Sequence, residues 1–252
     1  MKFGAQLLLV TRQEAVLQKI VAHCGKLIGC SIASYMVPCT LLLYVQREKK
    51  VVSNSLGLLF DGGPDILILN HLTPIVYDLW NENSDLNKLP QYYAVNTISY
   101  INIATLLLPE LHKTNGSIVV VSSFAGVVST PRAAPYCGNK HALHGFFDTL
   151  RQDLAIQGQG DITITLYVLG YIDTKNTRTG TKGTPVYDSV KPEPVNKCAL
   201  AMIKGIALRK WQMYFPWYLS IVETVHFFFP DFVESVIQVA TNEKPVHDMW
   251  NW

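Results

Sequence analysis

Short apolar runs alternate with longer amphipathic stretches along most of the chain. The runs are QLLLV at 6–10, DILIL at 65–69, SIVVV at 117–121 and ITITLYVL at 162–169, with a weaker candidate at 31–37. Such uninterrupted runs are typical of strands buried on both faces of a sheet. Periodic stretches at 14–23, 92–111, 136–154 and 195–207 predict helices, and a less regular one is predicted at 50–60. This alternation predicts an α/β fold with a doubly wound parallel sheet.

Two later segments depart from the alternation. Residues 174–194 are rich in Gly, Pro, Thr and Lys, and this composition predicts a mobile loop. Beyond residue 210 aromatic side chains are crowded and charges are few, which suggests a buried helix, a dimer face or a membrane-surface patch. We therefore expect a Rossmann-type domain over 1–210 and a hydrophobic extension over 211–252. The aromatic residues are Trp211, Tyr214, Phe215, Trp217, Tyr218, Phe227, Phe228, Phe229 and Phe232.

Composition narrows the class of protein. The chain has 252 residues, of which 49% are hydrophobic and 16% charged, so it can bury a sizeable core and is not disordered. A net charge of +2 without a basic cluster argues against nucleic acid as a partner. The five cysteines and seven histidines form no metal-ligand spacing, and no apolar stretch approaches the roughly 20 residues that span a bilayer.

Three residues suggest proton-transfer chemistry. Tyr136 and Lys140 lie four residues apart at the start of a predicted helix, so both side chains point from one face. A nearby ammonium stabilises a phenolate, and we expect Lys140 to lower the pKa of Tyr136. Ser123 follows the strand at 117–121, and the carboxyl ends of parallel strands are where ligands gather. A Tyr-x-x-x-Lys pair occurs by chance in many helices, and Ser123 makes the catalytic interpretation stronger.

The run SIVVVSSFAGVVSTPRAAPYCGNKHALHGFFDTLRQDL, at 117–154, resembles the catalytic segment of short-chain dehydrogenases/reductases. It is most similar to the 11β-hydroxysteroid dehydrogenases. Supporting motifs follow in the family's order, and the resemblance extends from Gly4 to about Tyr214. The motifs are ILILNH at 66–71, VNTISY at 95–100, LYVLGYIDT at 166–174 and CALAMIKGIALR at 198–209.

The resemblance implies a role for each catalytic position. Tyr136 would be the general acid/base, and Lys140 would lower its pKa and hydrogen-bond the ribose of the nicotinamide. Ser123 would orient the substrate oxygen. Asn96 would hold a proton-relay water, although a polar residue in a helix needs no such role. The implied reaction interconverts a hydroxyl and a ketone on a steroid or similar lipid, in a homodimer at the endoplasmic reticulum membrane.

Other positions would contact the cofactor. Ile172 and Thr174 match the family's contacts to the nicotinamide carboxamide, and Asn70 matches an asparagine that braces the central sheet near the cofactor. A turn residue at a strand end explains Asn70 nearly as well. Arg12 follows the strand at 6–10, where an arginine suits the extra phosphate of NADP. Arg12 therefore favours NADP(H), with a solvated loop arginine as the alternative.

The glycine pattern departs from the family. The family opens with a strand, the turn T-G-x-x-x-G-x-G and a helix, and no such turn occurs in the sequence. The sequence resembles the family from its second strand onward, without the membrane anchor, and we expect a sheet that lacks the central strand and the first helix. An incomplete gene product is one explanation, and a variant that has lost full activity is the other. The alternative function is therefore a catalytically silent homologue that dimerises or associates with a membrane.

Overall fold

The computed structural model describes residues 6–11, 31–36, 63–73, 77–184, 188 and 190–240, and the first two ranges enter as backbone alone. The helices predicted at 14–23 and 50–60, together with Arg12, lie outside the described residues. Six strands are described. They are β1 (Gln6–Thr11), β2 (Ser31–Met36), β3 (Ile66–Leu69), β4 (Ser117–Val121), β5 (Thr163–Leu169) and β6 (Gln212–Phe215).

The described strands form two parallel sheets. β1 pairs with β2, in a register that sets Gln6 opposite Ser31. The larger sheet has the order β3-β4-β5-β6, with every pair parallel. Strands that are adjacent in the chain and parallel in the sheet need a crossover between them, which is the basis of the α/β class. The predicted α/β fold with parallel strands is therefore confirmed.

Seven α-helices connect or follow these strands in the described part of the chain. A π-helical segment at Ala94–Ile98 joins α1 to α2, so the helix predicted at 92–111 is longer and locally wider than expected. The helices are α1 (Leu89–Tyr93), α2 (Ser99–Thr114), α3 (Ala134–Ile156), α4 (Lys175–Thr181), α5 (Val195–Ala207), α6 (Leu219–Phe228) and α7 (Pro230–Ala240).

The main core lies where α2 and α3 pack on the centre of the larger sheet. β4 is buried along its whole length, and Val119 and Val120 have no exposed surface. The apolar sides of the two helices meet it through residues such as Leu111 and Phe147. α2 ends at Asn115, whose φ of 50° is the left-handed conformation that closes a helix before the chain turns into β4. This packing fixes the carboxyl end of β4, where the candidate catalytic residues begin.

The predicted buried strand at 65–69 is only half buried. Leu69 is 2% exposed, whereas Ile66 and Ile68 are 48% and 50% exposed. β3 is an edge strand of its described sheet, and its alternate side chains face opposite sides. Leu67 and Leu69 meet the core, while the described residues leave the other face open. The prediction of burial was therefore wrong for Ile66 and Ile68.

The loop predicted at 174–194 contains regular structure. Residues Lys175–Thr181 form α4, and Thr174 caps it by accepting a hydrogen bond from the Thr177 amide at 3.1 Å. Arg178 reaches back to the carboxylate of Asp173 in a two-point contact. Ile172 then bridges to Glu193 in a parallel pair. A mobile loop was the wrong prediction here because a good cap and an ion pair offset the weak helix propensity of Thr and Gly.

The sheet continues beyond residue 210, where the Rossmann-type domain was expected to end. β6 pairs with β5 over Leu166–Leu169, so the boundary after 210 separates a strand from its own sheet. The sequence did not predict this strand because four mixed aromatic and polar residues show no clear alternation.

The aromatic side chains that follow β6 are not buried in the chain. Trp217 is 70% exposed and Phe227 is 79% exposed, and Phe228, Phe229 and Phe232 are also exposed. Of the three interpretations of this segment, the buried helix is therefore wrong. None of the helices in the described part of the chain has the length and apolar character that a membrane span requires.

Candidate active site

The turn after β4 presents the first candidate residue. Ser123 has an extended backbone, and its hydroxyl accepts a hydrogen bond from the Ala125 amide at 3.2 Å, which starts a short 3₁₀ turn at Phe124–Gly126. Ser122 is held to the sheet by its amide, which donates to the Tyr167 carbonyl at 2.9 Å. The serine hydroxyl therefore leaves the sheet at a fixed point above the carboxyl end of β4.

Gly126 lets this turn lie directly against α3. A Cβ at Gly126 would come within 2.8 Å of Ser122 Oγ and 3.0 Å of both His144 and Lys140. His144 lies one turn of α3 beyond Lys140, and its Nε2 is 2.9 Å from Ser122 Oγ. Burial lowers the pKa of His144 to about 4, so its ring is neutral at pH 7. The small residues Ala125 and Gly126 therefore fix the distance between the serine turn and the helix.

Helix α3 carries the other two candidates on one face. It begins with Pro135 in its first turn, a position where the missing N–H of proline costs nothing. Gly138 lies between Tyr136 and Lys140, and a Cβ there would come within 2.3 Å of the Tyr93 hydroxyl. Glycine at position 138 lowers helix propensity, but the missing side chain allows α1 to pack closely on the first turn of α3.

Lys140 is buried, with 4% of its surface exposed. Its Nζ donates a hydrogen bond to the Val121 carbonyl at 2.8 Å, and it lies 5.8 Å from the ring centroid of Tyr136 and 5.7 Å from that of Tyr100. Burial lowers the pKa of Lys140 from 10.5 to about 8. The amine is therefore mostly charged at neutral pH, and its charge is held close to the Tyr136 ring.

Tyr136 does not have the lowered pKa that the sequence predicted. Burial raises its pKa to about 12, a hydrogen bond with Ser123 lowers it, and the neighbouring Cys137 raises it. Desolvation disfavours the phenolate and is the largest cause of the shift, although the Lys140 ammonium lies 5.8 Å from the ring centroid. The structure nevertheless brings Ser123, Tyr136 and Lys140 together, and the phenol is protonated at neutral pH.

Asn96 lies in the π-helical segment, a local widening that is frequent at functional sites. It is fully buried, and its Oδ1 accepts a hydrogen bond from the Thr73 amide at 2.8 Å. Its Nδ2 is buried without a partner in the described structure. Next to it, Thr97 donates a hydrogen bond to Asn139 Oδ1 at 2.6 Å, which fastens this segment to α3 beside Lys140.

The residues expected to contact a cofactor occupy different parts of the site. Ile172 is buried just after β5, while the Thr174 hydroxyl already caps α4. Asn70 is exposed at the end of β3, and the predicted bracing contact is not seen within the described chain. One of the three N–H groups of the Lys140 ammonium donates to the Val121 carbonyl, and the other two are available to ribose hydroxyls. These groups fit the nicotinamide end of a dinucleotide, whereas the family's glycine turn for the pyrophosphate is not in the sequence.

The sequence analysis missed two tyrosines near Tyr136, which are Tyr77 and Tyr92. Tyr77 and Tyr136 pack against the same small buried cluster of Ala125, Ala133 and Cys137. The pKa values of Tyr77 and Tyr92 are raised mainly by burial and further by the proximity of Tyr136, and Tyr171 adds to the effect on Tyr77. No motif or spacing marks these two residues, because they come from a loop and from the short helix α1.

Comparison with known proteins identifies the family. The family described as short chain dehydrogenase matches residues 1–184. The chain is 34% identical over 244 residues to the Hydroxysteroid 11-beta-dehydrogenase 1-like protein of Danio rerio, covering 97% of this chain and 81% of that protein. It is 35% identical over 229 residues to the protein of the same name from Gallus gallus, covering 91% of this chain and 76% of the relative.

Solved structures agree on the fold. The alcohol dehydrogenase of the archaeon Thermococcus sibiricus, complexed with 5-hydroxy-NADP, superposes with a TM-score of 0.68 at 18% identity and covers 84% of this chain and 85% of its own. A short-chain dehydrogenase/reductase of Burkholderia phymatum in complex with NAD gives a TM-score of 0.69 at 18% identity. The match covers 95% of this chain and 87% of that protein. The fold, the family match and the identity to these relatives together establish that the chain belongs to the short-chain dehydrogenase/reductase family of oxidoreductases.

Proposed function

We propose that the protein interconverts a ketone and an alcohol on a steroid or similar lipid, with NADP(H) as its cofactor. The observation that carries the proposal is the hydrogen bond between Ser123 and Tyr136 beside the buried ammonium of Lys140. Two hydroxyls that converge on one point can bind the same carbonyl oxygen. The steroid assignment is supported by the names of the relatives, which are called hydroxysteroid 11-beta-dehydrogenase 1-like.

Each residue has a defined task in this proposal. A bound reduced nicotinamide supplies the hydride that adds to the carbonyl carbon. Tyr136 donates its phenolic proton to the carbonyl oxygen as the C–O double bond becomes single, and Ser123 holds that oxygen in position. Lys140 stabilises the phenolate that remains and hydrogen-bonds the ribose, while Asn96 provides a buried amide for a relay water. Ile172 and Thr174 would contact the carboxamide of the nicotinamide, and Asn70 would lie on the cofactor side of the sheet, as the family resemblance implies.

The charge state of the site favours reduction at neutral pH. With a pKa of about 12, Tyr136 holds its proton and is ready to act as an acid. Alcohol oxidation needs the phenolate, which burial disfavours. We therefore infer that alcohol oxidation accelerates as the pH rises toward the pKa of Tyr136, because a larger fraction of the phenol is then ionised.

Cofactor preference provides the direct test. With a steroid ketone as substrate, we expect oxidation of NADPH to be at least tenfold more efficient than oxidation of NADH, measured as kcat/KM from absorbance at 340 nm. Arg12→Ala should remove most of the difference, because a charge-assisted contact to the extra phosphate contributes about 1.5–3 kcal/mol. Lys113→Ala, which removes an exposed positive charge paired with Glu110, is the matched control. Equal efficiency with both cofactors would reject NADP(H), and no turnover with either would favour the silent homologue.

A specific observation also supports association with a second copy or a membrane surface. α6 and α7 pack on each other and expose Phe227, Phe228 and Phe232. Large apolar patches on soluble proteins mark interaction surfaces. We propose that this patch is the homodimer face, with contact to the endoplasmic reticulum membrane as the alternative supported by the family resemblance alone. Glu223, Asp231 and Glu234 on the same helices favour a protein partner over an anionic lipid surface.

The double substitution Phe227→Ser and Phe228→Ser tests the patch without touching β6. We expect sedimentation velocity to show a dimer for the unmodified protein and a monomer for the variant, since the lost burial is about 1.5–3 kcal/mol for each ring. A protein that is already monomeric without detergent would contradict the dimer. A variant that no longer co-sediments with neutral phosphatidylcholine vesicles, while its oligomeric state is unchanged, would favour the membrane instead.

A further inference from the structure

The Tyr92 hydroxyl is buried and has no hydrogen-bond partner within the described structure. A buried hydroxyl without a partner destabilises the folded protein, and such groups are rare enough to need an explanation. A bound ligand that supplies the missing partner is one explanation, provided that the hydroxyl faces a place where a ligand binds. The neighbours of Tyr92 decide whether it does.

Tyr92 lies beside the candidate catalytic residues. Its phenol is close enough to Tyr136, Tyr77 and Cys137 for their charges to raise its pKa, which burial has already raised. The short helix α1 is held against the start of α3 by the contact between Tyr93 and Gly138. Tyr92 therefore lies near Tyr136, at the packed junction of α1 and α3, and it is not part of the main core.

Tyr77 adds another aromatic ring beside Tyr136. Tyr77 packs with Tyr136 against Ala125, Ala133 and Cys137, and the Asp78 amide donates a hydrogen bond to the Arg132 carbonyl at 2.9 Å. This bond fastens the segment that carries Tyr77 to the loop that precedes α3. The aromatic rings of Tyr77 and Tyr136 provide apolar faces that suit a flat lipid. The Tyr92 hydroxyl near them is buried and has no partner in the described structure.

We propose that Tyr92 determines substrate specificity by hydrogen-bonding a second oxygen of the substrate, away from the carbonyl or alcohol that reacts at Tyr136. The inference rests on the proposed function, since it takes the reacting group to lie at Tyr136. It narrows the substrate class to lipids that carry at least two oxygen functions. A site with a buried polar group discriminates strongly against an analogue that lacks the matching atom, because that group is then left unpaired.

Binding of matched ketone pairs to the full 252-residue chain tests the proposal. The probes are four steroid ketones, each with a hydroxyl at a different ring position, and the deoxy counterpart of each. We expect one hydroxylated ketone to bind 10- to 100-fold more tightly than its deoxy partner by isothermal titration calorimetry. In Tyr92→Phe, which keeps the ring and removes only the hydroxyl, the two should bind within about threefold of each other.

Controls separate specificity from structure and from catalysis. Tyr218→Phe, at an exposed phenol, should leave the discrimination unchanged. Tyr92→Phe should melt at the same temperature as the unmodified protein or higher, because it removes an unpaired buried hydroxyl. Tyr136→Phe should lose turnover and still bind the hydroxylated ketone more tightly than its deoxy partner. If Tyr136→Phe remains active, the proposed function is wrong, while the binding measurements still test the role of Tyr92.

Three results would overturn the proposal. The first is that all pairs bind alike, or that none of the ketones binds, in the unmodified protein. The second is that Tyr92→Phe keeps the full discrimination. The third is that Tyr92→Phe melts several degrees lower with its discrimination unchanged, which would mean that the hydroxyl holds a structural water.

Discussion

Replacement of Tyr136 by phenylalanine should lower kcat for reduction of a steroid ketone with NADPH by about 10²–10⁴-fold, the usual loss when a general acid is removed. The phenol is protonated and shares a hydrogen bond with Ser123, so it is the group best placed to donate to an oxygen that Ser123 holds. Binding of the ketone should change less than turnover, because the ring and its packing against Ala133 and Cys137 remain. Initial rates at saturating NADPH separate kcat from KM.

The control for this experiment is Tyr218→Phe, which removes an exposed phenolic hydroxyl from α6. Its kcat should match that of the unmodified protein. Melting curves show whether either variant is misfolded, since loss of one hydrogen bond should cost only about 0.5–1.5 kcal/mol. Turnover within threefold of normal in Tyr136→Phe would exclude the tyrosine as the acid. The proton would then have to come from the Lys140 ammonium, from Ser123 or from a water.

Much of the sheet could be predicted from the sequence because the strands are buried. SIVVV at 117–121 has four consecutive apolar residues after Ser117, and its predicted bounds agree with β4. The four residues of β6 carry no such signal, and they pair only because β5 presents an open edge to them. Ile66 and Ile68 show the opposite error, because their apolar run predicted burial and the structure leaves both side chains about half exposed. An apolar run indicates that burial is available, but the neighbours of a strand decide how much of it is covered.

Only the part of the candidate site that follows from residue spacing within one helix or at one strand end could be derived from the sequence pattern. The four-residue separation of Tyr136 and Lys140 follows from helix geometry, and the strand end explains Ser123. Tyr92 and Tyr77 could not be predicted, because only the tertiary fold brings a short helix and a loop to the same place. The direction of the pKa shift of Tyr136 could not be predicted from the sequence either. It depends on the balance between a cation at 5.8 Å and desolvation, and the spacing reveals only the cation.

Lys140→Met should lower turnover by at least about 10²-fold and yet leave the protein as stable as before at pH 7.5, or more stable. The ammonium contributes to the site by stabilising a phenolate and by offering two donors to a ribose. Its burial destabilises the fold, since lowering its pKa from 10.5 to about 8 corresponds to about 3 kcal/mol. The hydrogen bond to Val121, contributing about 1.5–3 kcal/mol, offsets much of this cost.

The pH dependence gives this prediction its sign. Below about pH 8 both the folded and the unfolded chain bind the Lys140 proton, so the whole burial penalty is present. Between about 8 and 10.5 the unfolded chain still binds the proton and the folded chain has released it. Stability of the unmodified protein should therefore rise with pH across this window, by up to about 1.4 kcal/mol per pH unit from this group. Methionine cannot titrate, so the variant lacks this contribution.

Urea unfolding at pH 7.5 and pH 9.5 measures the effect. The free energy of unfolding of the variant, relative to that of the unmodified protein, should fall by about 2 kcal/mol between the two pH values. Lys113→Met is the matched control, because Lys113 is exposed and pairs with Glu110 at the surface. Its relative stability should change by less than 0.5 kcal/mol or so over the same window, as expected for a solvated ion pair. If Lys140→Met and Lys113→Met show the same pH dependence, the amine of Lys140 is solvated in solution. It could then not act as a desolvated cation next to Tyr136.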